Sequence, residues 1–242
     1  MGTRELPPPL PPGERTVGQL VAETIRAYGD NFVRALPLGV PLAIVALVTA
    51  GDSFSTEVAA LCVAAPLFSG AFAAAVWILT GARPTLIALL LGVVVWFPAP
   101  VLLSAFVLPA LAWLALFGLA VPVAMIERLG FRASLARARR LALADFVHAL
   151  GSLCALVLVF VLTAAMLVVL LHGQADNTIR VALFLAVLVL SPMLYLGTAL
   201  LYHDQAARVG SGRPRRRSRR DADLHPPVDA DAARGADPQV EP

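Results

Sequence analysis

The chain has 242 residues, 59% hydrophobic and 14% charged, with a formal net charge of +3 and a mean hydropathy of +0.79. A soluble domain carries about 25% charged residues to cover its surface, so this composition excludes a water-soluble globule and requires lipid as solvent. Distribution makes the same point, because the 43 residues from Pro84 to Ile126 include no Asp, Glu, Lys, Arg or His. The expected fold class is all-α, a polytopic membrane protein of six transmembrane helices with amphipathic interfacial helices.

Residues 1–15 are Pro-rich and read as a disordered arm, with no secretory signal peptide in them. From Thr16, a plausible helix cap, Val17, Leu20, Val21, Ile25, Tyr28, Phe32, Ala35 and Leu36 recur at three- and four-residue steps. Gln19, Glu23, Arg26, Asp30 and Arg34 fill the opposite face, so the segment predicts an amphipathic helix along the membrane surface or leading into the first span. The six-helix domain is expected over residues 16–204, with spans at about 35–51, 58–80, 84–104, 107–126, 146–171 and 179–202. A crossing needs about 20 residues, so the stretch from Pro84 to Ile126 holds two, with their turn between Pro98 and Pro109. Pro109, Pro122 and Pro192 are the expected helix kinks. Residues 205–242 form the expected disordered tail, with seven arginines between Arg208 and Arg220 and then six acidic residues against one arginine.

Between spans four and five, Arg128, Arg132, Arg137, Arg139 and Arg140 alternate with apolar residues in a pattern that predicts a basic helix in the headgroup layer. These five, with Arg213, Arg215, Arg216 and Arg217 of the tail, are the candidate lipid headgroup-binding residues. Arginine also alternates between successive loops. It is present before span one, at Arg83, in the basic helix and in the tail, and sparse in the intervening loops. By the positive-inside rule both termini face the cytoplasm of a multi-pass protein in the inner (plasma) membrane. All 19 basic residues are arginine and alanine is abundant, a pattern of GC-rich bacterial coding.

The chemistry is sparse. No HExxH, CxxC, Walker or GxSxG motif occurs, and no metal site or cofactor is expected. Cys62 and Cys154 sit in apolar runs as small packing residues. The polar residues at the cytoplasmic boundary, Glu127, Asp145, His148, Tyr202, His203 and Asp204, form a candidate interfacial cluster. With Arg137 they are also what an enzyme acting on lipid headgroups would use. The spans lack the deep ionisable groups of ion-coupled carriers. A transporter would instead use broken helices and a cleft lined by Ser69, Thr80, Ser104, Thr163, Ser191 and Thr198. Expected partners are membrane lipids with anionic headgroups at the cytoplasmic face, and a membrane-protein partner or a homo-oligomer. The RPRRRSRR run at Arg213–Arg220 reads as a lipid anchor rather than a nucleic-acid motif.

Three segments resemble the multi-helix membrane domain of membrane-bound glycerophosphoryl diester phosphodiesterases, which other bacterial proteins carry alone. They are VAETIRAYGDNFVRALPL (Val21–Leu38), LPALAWLALFGLAVPVAMIERLGFRASLARARRL (Leu108–Leu141) and SPMLYLGTALLYHDQAARVG (Ser191–Gly210). The middle one carries Pro109, Pro122, Glu127, Ser134 and Arg137 at the family's positions. The chain departs at Ala206, where a basic residue is usual, and at Val209, where an acidic one is common. It lacks the barrel-shaped catalytic domain, so the resemblance implies a six-helix membrane domain over about residues 16–210 without hydrolytic activity. The function expected is a non-enzymatic role in the cell envelope as scaffold, regulator or lipid-associated protein. The alternatives are a transporter of a small or lipid-like substrate and an interfacial enzyme.

Overall fold

Helix α1 (Val17–Asp30) begins with a capping box. The Thr16 hydroxyl accepts from the Gln19 amide, and the Gln19 side chain accepts from the Thr16 amide at 2.7 Å. The computed structural model describes residues 11–210, and these are helical throughout apart from short turns. Residues 1–10 and 211–242, with most of the Pro-rich arm and of the tail, lie outside the described residues.

α1 buries Leu20, Thr24 and Tyr28, one stripe at four-residue spacing. That stripe packs within the bundle, on two later helices, α11 (Phe146–Leu170) and α13 (Pro192–Gly210). The apolar period running to Leu36 does not make one helix, since the chain bends by 97° after Asp30. Gly29, Asp30 and Asn31 are weak helix formers. Beyond them α2 (Phe32–Ala35) tightens into a 3-10 turn over Leu36–Gly39 before α3 (Val40–Val48). Pro41 has no N–H for the Pro37 carbonyl, which takes the Val40 amide instead.

α4 (Phe54–Val63) and α5 (Ala65–Thr80) meet at a 56° bend where Pro66 enters. α6 (Leu86–Trp96) and α7 (Pro98–Ala105) form a third run, α8 (Val107–Phe117) and α9 (Ala120–Ile126) a fourth. Between them only Phe106 is extended, with φ −161° and ψ 151°. α10 (Phe131–Ala144) crosses to α11, and α12 (Asp176–Leu190) leads into α13. Among the described residues four helices are long and apolar enough to cross a membrane: Leu86–Ala105, Val107–Ile126, Phe146–Leu170 and Asn177–Gly210. The count rises to six if the bent pairs Val17–Asp30 with Phe32–Val48 and Phe54–Val63 with Ala65–Thr80 each make one span. The chain is a polytopic all-α membrane protein.

Proline placement follows hydrogen-bond chemistry. Pro122 is the third residue of α9, and the helix breaks at Gly118–Leu119, around the carbonyl its ring would strike. Pro192 opens α13 directly after Ser191, the C-cap of α12. Pro109, expected as a kink, lies in the first turn of α8, where a missing N–H breaks no helical bond. The last helix runs past Tyr202 to Gly210, so residues 205–210, expected in the disordered tail, are helical.

The core is alanine-rich. Ala71, Ala73, Ala75, Ala88, Ala115, Ala120, Ala124, Ala138 and Ala199 are buried beside Phe72, Leu91, Leu119 and Leu196. Small side chains let helix axes approach closely where lipid gives no hydrophobic drive to associate. At Gly92 a β-carbon would collide with Ser69, whose hydroxyl donates to the Leu89 carbonyl at 2.6 Å. The outer surface is a field of exposed Leu, Val and Phe, including Leu158, Leu162, Met166 and Val169 of α11.

Candidate functional site

The loop between α5 and α6, the α9–α10 corner, α10, the start of α11 and the end of α13 carry the charged groups of one end of the bundle. Glu127 caps α9 and accepts from Arg137 Nε on α10 at 3.2 and 3.1 Å, and from the Tyr202 hydroxyl on α13 at 3.1 Å. This trio staples α9, α10 and α13 together. A second group forms around Asp145, the N-cap of α11, whose Oδ1 accepts from the His148 amide at 3.1 Å. Asp145 Oδ2 accepts from Arg208 Nη1 at 2.8 Å, and its backbone oxygen accepts from Gln205 Nε2 at 3.3 Å.

Arg208 Nη2 also donates to the Arg15 carbonyl at 2.7 Å, and Arg15 Nη1 pairs with the fully buried Asp204 at 3.2 Å. The segment before α1 is thereby locked to the end of α13, with Gly13, at φ 91°, fitting against Ala207. These bonds explain why residues 203–210 stay helical. A buried carboxylate without its guanidinium is costly, and α13 must extend to bring Asp204 and Arg208 to Arg15 and Asp145. His148 Nε2 lies 3.9 Å from Asp204 Oδ2, beyond hydrogen-bond reach.

Of the predicted cluster, Glu127 and Tyr202 thus join one group, and Asp145, His148 and Asp204 the other. His203 joins neither, and its ring stands edge-on to Tyr202 at 5.3 Å. Of the arginines on α10, Arg137 is engaged by Glu127, while Arg132, Arg139 and Arg140 are exposed. Arg213, Arg215, Arg216 and Arg217 lie outside the described residues. Sequence reasoning missed Arg15, Gln205 and Arg208 as members; their only signal was proximity to Thr16 and Asp204 in the chain.

Five of the six hydroxyls of the transporter reading donate to helix carbonyls: Ser69, Thr80, Ser104, Thr163 and Thr198. The sixth, Ser191, is buried and its hydroxyl has no partner among the described residues. Carbonyls near helix breaks are taken too, Val95 by the Trp113 indole at 2.9 Å, Val189 by the Tyr28 hydroxyl at 2.8 Å and Phe97 by the Cys62 thiol at 3.5 Å. Among the described residues no three His, Cys, Asp or Glu side chains gather as a metal site would require.

A cleft of about 250 Å³ opens at the same end, lined by Arg83, Pro84, Thr85, Ile87, Ala124, Arg128 and Leu129. No family model, curated protein or solved structure matches this chain. Its chemistry must therefore be read from these side chains.

Proposed function

We propose that the chain is a non-enzymatic, lipid-associated protein of the bacterial inner membrane, crossing it six times with both termini in the cytoplasm. Its arginine-rich end binds anionic headgroups. One observation carries this reading. Glu127, Asp145 and Asp204 are each engaged by an arginine of the same chain. Arg83, Arg128, Arg132, Arg139 and Arg140 are exposed and have no carboxylate partner among the described residues. The charge left over is positive and sits on a rim beside exposed Phe131, Leu143 and Val147. Apolar anchors beneath a row of guanidiniums suit the headgroup layer, where each arginine is worth about 1 kcal/mol on an anionic surface. The resemblance to the phosphodiesterase membrane domain belongs to this same proposal, and hydrolysis is no part of it.

The boundary carboxylates serve this reading as clamps. They fix the segment before α1, α10 and α13 against α9 and α11, which keeps the arginine rim rigid. Reconstitution tests it. In mixed phosphatidylcholine–phosphatidylglycerol vesicles the protein should unfold at a higher temperature than in phosphatidylcholine alone, and added salt should shrink the difference. Identical unfolding in both vesicles would overturn the reading.

A further inference from the structure

We infer that the cleft between Arg83 and Arg128 is a seat for the phosphate of one anionic phospholipid, a defined site within the diffuse basic rim. The inference rests on the headgroup-binding reading above and sharpens it. Arg83 lies in the α5–α6 loop and Arg128 just beyond α9, so tertiary packing alone makes them two walls of one cleft. Neither has a hydrogen-bond or ion-pair partner among the described residues, and no carboxylate lines the cleft. Two guanidiniums lining one cleft without a counter-ion attract an anion, and they match phosphate oxygens with forked donors.

Backbone conformation gives an independent pointer. Arg128 is the one non-glycine among the described residues with positive φ, at 52°. It follows the Glu127 C-cap of α9, a position that helices commonly give to glycine. Strain of this kind persists where the side chain it aims has a use. The remaining lining suits the rest of a phospholipid. The Thr85 hydroxyl accepts from the Ala88 amide and keeps its proton to donate to a phosphate oxygen. Pro84, Ile87, Ala124 and Leu129 offer an apolar wall for the glycerol stem. Exposed Leu86 and Leu90 continue from there along α6 for an acyl chain. Nearby, α10 starts at Gly130 without a side-chain cap, adding partial positive charge at the same lip.

The test is native mass spectrometry of the full chain with phosphatidylglycerol, phosphatidic acid, phosphatidylcholine and inorganic phosphate as probes. Wild type should retain one anionic phospholipid, and Arg83→Gln/Arg128→Gln should bind it about tenfold more weakly. Arg139→Gln/Arg140→Gln, on the rim but outside the cleft, should weaken retention by clearly less than the cleft pair does. Arg83→Lys/Arg128→Lys, which keeps the charge but loses the fork, should fall between. It also covers the case in which the glutamine pair fails to fold. Equal loss from the cleft and rim variants, with wild type still selecting anionic lipid, would overturn the seat and leave the wider reading standing. No anionic selection by wild type would overturn both. Protection from unfolding by inorganic phosphate alone, equal to that by phosphatidic acid, would overturn a lipid as the source of the phosphate.

Discussion

Arg128 shows how much one residue can reveal when its backbone and side chain pull in opposite directions. The left-handed conformation costs a non-glycine residue about 1 kcal/mol, and glycine at this position would remove that cost. Arg128→Gly should therefore stabilise the protein by about 1 kcal/mol in thermal unfolding in phosphatidylcholine. The same substitution should reduce retention of anionic lipid, because half of the paired guanidinium wall is gone. Opposite signs for stability and lipid retention are the diagnostic. If stability falls, the arginine side chain has a packing role that its exposure does not suggest. Neither the strain nor the shared cleft with Arg83 was legible in the sequence, where the two arginines belong to different loops, Arg128 one of nine headgroup-binding candidates and Arg83 only a topological charge. Among the buried residues, Asp204 is a comparable case. It reads as a boundary charge in HDQAARVG, yet it is fully buried against Arg15 from the other end of the described chain.

The helices divide into features that local chemistry writes and features that only packing decides. The Thr16 cap and the apolar runs around α6, α8 and α11 were readable because caps and hydrophobic length are local properties. The end of α1 at Asp30 and the extension of α13 to Gly210 were not. The first depends on where a bend can be packed, the second on ionic partners far away in sequence. Close helix contacts belong to the second class. α3 and the 3-10 turn pack on α12 so tightly that a β-carbon on Gly39 would collide with the Leu188 carbonyl. That carbonyl lies four residues before Pro192, which has no N–H to give it. The close approach of Gly39 to the freed carbonyl is therefore part of how the kink is accommodated. Gly39→Ala should force these helices apart and destabilise by about 2 kcal/mol. Gly29→Ala is the control, because open space surrounds that position in α1; it should be neutral or stabilise by about 0.5 kcal/mol. Equal effects of the two substitutions in thermal unfolding would show that Gly39 owes its place to something other than this contact.

At the scale of the whole molecule, two asymmetries coincide. The ionic groups, the arginine rim and the cleft gather at one end, while the opposite end has the turns around Asp52, Phe106 and His172 and few charges. Charged groups cannot be left in hydrocarbon cheaply, so the two ends must lie in the two interfacial layers, with the exposed apolar belt between them. Arginine-rich segments are retained on the cytoplasmic side during insertion, so the proposed topology puts the cleft on that side. In a background lacking Cys62 and Cys154, single cysteines at Asp52 and His172 should be modified by a membrane-impermeant thiol reagent in intact spheroplasts. Cysteines at Arg83 and Arg132 should react only after permeabilisation. The two bent pairs are the weak points of a six-span count, and these positions bracket the second of them. If Asp52→Cys and Arg83→Cys react alike, Phe54–Val63 with Ala65–Thr80 enters and leaves by one face as a re-entrant loop. Arg83 and Arg128 would still share a face, because the two spans Leu86–Ala105 and Val107–Ile126 separate them, and the whole cleft would then lie on the side of Asp52.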